Sequence, residues 1–393
     1  MKSDLRKLLI AQLPADFADW LDFVAIGALL AFVWQEEPFV FAVLAVAIGL
    51  PYLLVGPVAG VLVDKVPIRR VLILSNLGRG VVTATLFFAP NWGVLILLVA
   101  LRSTVDTFFT PAKQAAIQTL TTPDERTRAN GFSHAINQTS KVAAPALGGG
   151  LLIWLAPHMI FLLNAGVSIL AALLALRINH IARPPASEAA QSSMIGNIKA
   201  GFADIQRAPV LRAALWMMAA GYFAMFFYDT LIAPLTRDLG FTQTQLGFAL
   251  AAIGAGGVLG SLYLALRKDA GRPFLWIASG LTVGACIIGY FGLAEILSFP
   301  LHITAYIGLC AVVGVASALS VVPFRTLIQN HSAADRIARI TALSEAANTL
   351  ALLTAPFIGA AIATLTSLGM SFVAGGCMML AVAFYAWRMR NAG

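Results

Sequence analysis

Apolar runs of about twenty residues alternate along the chain with short clusters of proline, glycine and charge. A helix crossing the ~30 Å hydrocarbon layer of a bilayer needs about 20 residues, and most of these runs reach that length. With the clusters as punctuation, the pattern predicts helices over 8–34, 39–63, 71–89, 92–119, 129–155 and 157–179. A second set follows over 210–236, 243–266, 273–294, 300–329, 338–363 and 367–388. The longest polar stretch, HIARPPASEAAQSSMIGNIKAGFADIQRAPV, lies between the sets. Its Pro-Pro start reads as linker, and Ile195 to Ile205 alternates enough for a short amphipathic helix at a membrane surface. The expected fold is therefore an all-α membrane protein with twelve transmembrane helices in two pseudo-symmetric six-helix bundles. The first bundle is residues 1–180, the cytoplasmic linker 181–209, and the second bundle 210–393.

Composition agrees with this solvent. Of 393 residues, 59% are hydrophobic and 11% charged, whereas soluble domains carry about 25% charged residues. The basic opening resembles a signal peptide, but Asp16, Asp19 and Asp22 interrupt its apolar stretch, and no A-x-A-like cleavage site follows. It is expected to stay as the first membrane helix. Cys286, Cys310 and Cys377 lie inside apolar runs without metal-type spacing and read as packing residues.

Charge sets the orientation. Of 26 Lys and Arg residues, five fall well inside predicted spans: Arg79, Arg102, Lys113, Lys141 and Arg325. Among the others only Arg237 lies opposite the N-terminus. Cationic loops stay cytoplasmic, so both termini and the linker are expected inside the bacterial inner membrane. The net charge of +8 is this asymmetry, and nucleic-acid binding is not needed to explain it.

One phrase is written twice. Pro111 and Lys113 align with Pro323 and Arg325 at an offset of 212. After one deletion, Arg128, His134, Asn137, Pro145 and Gly148 align with Arg339, Glu345, Asn348, Pro356 and Gly359. Two parallel halves of six spans form a transporter architecture, with the substrate path expected at their interface.

These features resemble the major facilitator superfamily over essentially the whole length. The most specific carrier is GVLVDKVPIRR, Gly60 to Arg70, which looks like the superfamily's motif A. Gly60 permits close helix packing, and Asp64 can cap a neighbouring helix N-terminus, where the dipole favours an anion. Arg69 and Arg70 would hold the loop at the anionic inner leaflet. The usual turn glycine is replaced around Pro67 and Ile68, and the second half has only the degraded copy LALRKDAGRP. FFTPAKQ, RANG and PALGGG look like the branch of enterobactin exporters and macrolide efflux pumps. Lysophospholipid transporters share a P-A-K phrase, and ADWLDF resembles the first helix of ferroportin-type metal exporters. Arg102 in LLVALRSTVD sits where drug–proton antiporters carry their motif B arginine, with Val105–Asp106 replacing the usual Gln-Gly.

Each ionisable residue at mid-membrane costs about 2.5–3.5 kcal/mol on insertion scales, so it needs a partner, water or a function. Arg102 and Asp106 stand one turn apart and can pair within their helix, either as a purely structural pair or as part of proton or substrate coupling. Asp19 and Asp22 share a face of span one, among neighbours read as apolar, and Asp229 is their approximate counterpart on span seven. A proton carrier is expected among these acids, with static pairing to Arg102 or Lys141 as the competing account. Lys113 with His134, and Arg325 with Glu345, lie at matched depths and read as hairpin staples or a cytoplasmic gate. His134, Asn137, Gln138 and Lys141 give span five one polar stripe.

The sequence shows no Walker A phrase, no G-x-S-x-G and no H-E-x-x-H, so no enzyme and no cofactor are expected. The resemblance implies a secondary transporter working by alternating access. It implies proton-coupled export of a siderophore or drug-like amphipathic compound, with lysophospholipid or metal transport as alternatives. Expected partners are a small-molecule substrate, protons and membrane lipids, but no nucleic acid, and the chain is expected to be a monomer.

Overall fold

The computed structural model describes residues 3–179, 181, 209–266, 272–331 and 337–391. Residues 182–208, with the surface helix expected over Ile195 to Ile205, lie outside the described residues. Within them the chain is all-helical, with no strand. In chain order the helices are α1 (Ser3–Ala28), α2 (Pro38–Lys65), α3 (Ile68–Leu86), α4 (Trp92–Asp106), α5 (Phe109–Leu120), α6 (Pro123–Leu151) and α7 (Pro157–Ala175). They continue as α8 (Pro209–Asp229), α9 (Ile232–Asp238), α10 (Gln243–Leu266), α11 (Pro273–Ile296), α12 (Ile303–His331), α13 (Ile337–Leu365) and α14 (Leu368–Arg388).

Two expected spans are broken. α4 stops at Asp106 and α5 resumes at Phe109, while α8 stops at Asp229 and α9 resumes at Ile232. Pro111 and Pro234 explain both interruptions. Each lacks an N–H, and its ring crowds the carbonyl four residues earlier, on Thr107 or Thr230. Proline permits a break without forcing one, since Pro323 and Pro356 lie within unbroken helices. Starts also shift from expectation. α6 begins at Pro123 rather than 129, with proline in its first turn and the Glu125 carboxylate accepting from the Thr122 N–H at 3.1 Å. α3 begins at Ile68, directly after Pro67. Asn91 caps α4 by accepting from the Val94 N–H at 3.0 Å, and Ser367 caps α14 through Met370 at 3.3 Å. Span one ends in a π-helical turn, Leu29–Val33, closed by Gln35 at φ 53°.

Among the described residues, nine stretches are long and apolar enough to cross a membrane. α1, α3 and α6 are not among them. They carry Asp16, Asp19 and Asp22, then Arg79, then Lys141 and its polar stripe. Charge alone does not draw this line, since the stretch Trp92–Leu120 carries Arg102, Asp106 and Lys113 and is among the nine.

The chain divides into two compact units. One contains α1, most of α2, α3 to α7 and the start of α10. In it α1 packs on α5, α6 and α7, and α3 on α4, α5 and α7. Its apolar core joins Leu5, Leu8 and Leu9 to Leu72, Phe109, Ile117 and Ile178. The other unit contains α8, α9, most of α10 and α11 to α14, with α11 packed on α12 and α14, and α8 on α12, α13 and α14. Where α11 meets α14, Gly292 and Gly369 let the backbones touch. A Cβ built on Gly292 would lie 2.4 Å from the Gly369 carbonyl oxygen. Small residues at such a crossing replace the hydrophobic drive that lipid removes.

Candidate functional site

In the first unit, Gln12, Asp16, Asp19 and Asp22 recur at helical spacing and fall on one broad face of α1. α3 presents Asn76, Arg79 and Thr83 at the same kind of spacing, and α4 presents Arg102 and Asp106. These three faces meet in one charge cluster.

Arg79 lies at its centre, fully buried. One Nη donates to Asp19 at 2.9 Å and to Asp106 at 2.6 Å. The other donates to the Ala15 carbonyl at 3.1 Å and to Asn76 Oδ1 at 3.0 Å. Arg102 donates to Asp19 at 2.8 Å and reaches Asp22 at 2.7 Å, and its Nε also meets Thr83 Oγ1 at 3.3 Å. Tyr52, from α2, donates its hydroxyl to Asp106. One turn further along α1, Asp16 accepts from Gln12 at 2.7 Å and from Asn137 at 3.4 Å. It pairs with Lys113 at 3.7 Å. Phe109 lies under both Arg79 and Lys113, each 5.3 Å from the ring centroid, an arrangement in which a ring face stabilises cations.

Two features set Asp22 apart. Its contact with Arg102 is an ion pair without an aligned hydrogen bond, and among the described residues no donor satisfies either of its oxygens. Beside it stands Asn164 of α7. The Asn164 amide nitrogen donates to the Ala18 carbonyl at 2.8 Å, which leaves Oδ1 as its acceptor end. That oxygen and Ser168 Oγ also lack partners among the described residues.

Several expectations are corrected here. Arg102 and Asp106 do not pair with each other: Arg102 turns to α1, and Asp106 takes Arg79 and Tyr52. The inward neighbours of Asp19 and Asp22 are not all apolar, because Gln12 and Asp16 are buried on the same helix. Lys113 finds Asp16, whereas the His134 side chain lies outside the described residues, as do the side chains of Asp64, Arg325 and Glu345. Gly60 falls in α2. Lys141 sits 4.9 Å from the Trp20 ring centroid. Arg69 donates to the Leu176 carbonyl at 2.5 Å, capping the end of α7, and Arg70 is exposed. Sequence reasoning passed over Arg79 and Asp16 as site residues. The signal was present in charge balance, since three carboxylates on one helix require cations nearby.

Asp229 lies in the other unit, at the end of α8. It borders a cavity of about 120 Å³ lined by residues of α8, α9, α10, α11, α12 and α14, otherwise with apolar, aromatic and weakly polar side chains.

The sequence profile of the Major Facilitator Superfamily matches residues 8–350. The chain belongs to this superfamily. Relatives include an uncharacterized MFS-type transporter, YfiS, of Bacillus subtilis, 26% identical and covering 96% of this chain and 91% of that one. Macrolide efflux protein A of Streptococcus pyogenes is 25% identical, covering 85% and 83%. Among solved structures, the nucleoside transporter NupG matches with a TM-score of 0.77 at 12% identity, over 99% of each chain. That likeness shows the fold alone. The superfamily member described here is thus a multi-pass membrane transporter and not an enzyme. Among its described residues, no group of three His, Cys, Asp or Glu could hold a metal ion.

Proposed function

We propose that this transporter exports a drug-like amphipathic compound in exchange for protons, by alternating access of its two units, from the bacterial inner membrane. The observation carrying proton coupling is the charge count of the cluster. Among the described residues, Asp16, Asp19, Asp22 and Asp106 are paired there with Arg79, Arg102 and Lys113, four carboxylates against three cations. In a low-dielectric interior an unbalanced charge is expensive, and a proton is the simplest counter-charge. Asp22 is the carboxylate best placed to take it, because among the described residues neither of its oxygens has a hydrogen-bond donor and Arg102, its ion-pair partner, is shared with Asp19. Asp19, shared by two arginines and 32% exposed at its side chain, is the natural relay to water.

The drug-like class is supported by macrolide efflux protein A and by the aromatic cavity beside Asp229. No relative cited above points to a siderophore. The matched pairs Lys113–His134 and Arg325–Glu345, with Gly60, Asp64, Arg69 and Arg70, are assigned to the cytoplasmic gate. Lys141, over Trp20, is assigned to the cavity wall.

The test is uptake of a fluorescent amphipathic dye into proteoliposomes under an imposed pH gradient. Wild type should accumulate dye, and a protonophore should collapse the gradient. Asp22→Asn should still exchange dye down its own gradient yet fail to accumulate it. Full proton-driven accumulation by Asp19→Asn, Asp22→Asn and the double variant would remove α1 from coupling. Lysophospholipid translocation indifferent to pH would replace the reading altogether. Orientation has its own check. A cysteine at Glu36 should react with an impermeant thiol reagent added outside intact cells, and one at Arg70 should not.

A further inference from the structure

A surface groove in the second unit follows the line where α11 packs on α14. Its lining recurs at helical spacing from Leu275 to Val283 on α11 and from Leu380 to Trp387 on α14, one face of each helix. Ala278 and Ala383 are buried, whereas Val283, Leu380, Phe384 and Trp387 are exposed. Small facing side chains between large ones thus leave the depression. Two hydroxyls on its wall turn back to their own helix. Ser279 donates to the Trp276 carbonyl at 3.0 Å, and Thr282 to the Ala278 carbonyl at 2.8 Å. The surface that remains is hydrocarbon. From Leu275 to Val283 the helix rises ~12 Å, close to the ~15 Å hydrocarbon depth of one leaflet. The volume of about 540 Å³ falls within the ~300–1,000 Å³ of clefts that hold whole ligands.

One end of this groove is cationic. α11 and α14 run antiparallel: Gly292, late in α11, meets Gly369, early in α14. The first turns of α11 therefore lie beside the last turns of α14, and the 3₁₀ turn Met389–Asn391 packs on α11 as well. There the Arg388 guanidinium carbon lies 4.7 Å from the Phe384 ring centroid, and that of Arg390 lies 3.9 Å from the Trp387 centroid. The two rings are themselves stacked, with centroids 6.3 Å apart and planes at 21°. Groove wall and cations are one assembly. A single N–H of Arg390 goes to the Trp387 carbonyl at 3.2 Å. Among the described residues no carboxylate pairs with either arginine, and no residue lining the groove is acidic. A guanidinium fork meets a phosphate with two parallel N–H donors.

We infer that this groove holds one anionic phospholipid, with an acyl chain lying between α11 and α14 and the headgroup phosphate on Arg388 and Arg390. Lipid touches every exposed face of a membrane protein. Here a furrow as deep as a leaflet ends at two cations, so an apolar tail and a charged headgroup are recognised together. The inference rests on membrane insertion and is independent of the export reading.

The probe is dioleoylphosphatidylglycerol, titrated into the delipidated full chain in detergent and counted by native mass spectrometry, with dioleoylphosphatidylcholine in parallel. Wild type should take one phosphatidylglycerol at least fivefold more tightly than phosphatidylcholine. Arg388→Gln with Arg390→Gln should erase that preference. Should this pair lower the melting temperature, Arg388→Gln alone, at an exposed position, must still reduce it. Arg177→Gln with Arg212→Gln removes the same charge from exposed positions elsewhere and should leave the preference intact. Ser279→Phe, at an exposed position of the lining, should fill the groove and weaken phosphatidylglycerol binding at least threefold. Glycerol phosphate, a headgroup without a tail, should not compete. Equal binding of the two lipids by wild type would overturn the inference and leave only ordinary surrounding lipid. Equal loss in the two double variants would overturn it by reducing the preference to net charge. Unchanged binding by Ser279→Phe, or full competition by glycerol phosphate, would remove the groove and leave an anion site alone.

Discussion

Asp106 and Asp229 occupy the same backbone position in two different units. Each is the last residue of a helix interrupted before it reaches a proline five residues on, Pro111 or Pro234. In the first unit the carboxylate is held by Arg79 and Tyr52. In the second it borders an aromatic cavity. The comparison teaches that the break in the helix fixes where an acid is displayed, and the neighbouring side chains fix what that acid can do. α3 brings a fully buried arginine to one break, whereas α11 and α12 bring Phe291, Tyr306 and glycine to the other.

The largest effect should come from removing the cation at the first break. Arg79→Ala leaves Asp19 and Asp106 facing each other without their shared partner, and breaking a buried pair in this way costs about 3–5 kcal/mol. Reduced yield and a strongly lowered melting temperature are expected in detergent. Combining it with Asp19→Asn and Asp106→Asn should recover part of the loss. No recovery would mean that packing, rather than charge, makes Arg79 indispensable.

A smaller loss should follow in the second unit, where backbone proximity matters more than charge. Gly292→Ala puts a methyl 2.4 Å from the Gly369 carbonyl oxygen. The α11–α14 crossing must open, and overpacking of this kind costs about 1–3 kcal/mol. Thermal melting checks it, and an unchanged midpoint would show that the crossing can yield.

The smallest effect has the opposite sign. Gly221→Ala meets no atom within 4 Å, while alanine favours the helix over glycine by up to about 1 kcal/mol. A slight rise in melting temperature is expected. A fall would mean that the space beside Gly221 closes in solution.

Much of this was readable in the chain. Hydropathy and punctuation located the helices to within a few residues, because a span of about twenty apolar residues is a local property. The cluster was only half legible. Its acids on α1 share a face by local periodicity, but their partners lie 60 and 83 residues away in Arg79 and Arg102. Local spacing favoured Arg102 with Asp106, a pairing the helix permits and the tertiary packing refuses, since both side chains find opposite charges across the helix interface. LSNLGRGVV reads as an ordinary helix with one stray cation, and nothing local marks Arg79 as the centre. The cavity was illegible for a related reason. Its wall draws on six helices spread across most of the second half, and only Asp229 is unusual enough to be noticed alone.

The capped end of α7 has a mechanical meaning. Arg69 holds the Leu176 carbonyl. Four residues past the end of α7 at Ala175, the Asn179 backbone N–H and side-chain amide both donate to Asp4 at 3.3 Å. The chain therefore leaves the first unit through a double anchorage on α1 and α3. Any pull arriving from residue 181 onward is shared among three helices instead of unwinding one. The Lys7 side chain, bonded to Asp4 at 2.9 Å, holds its carboxyl below the ordinary value of 3.8. A depressed carboxyl contributes its grip above that value and loses it as pH falls below, so the rivet stays closed throughout the neutral range.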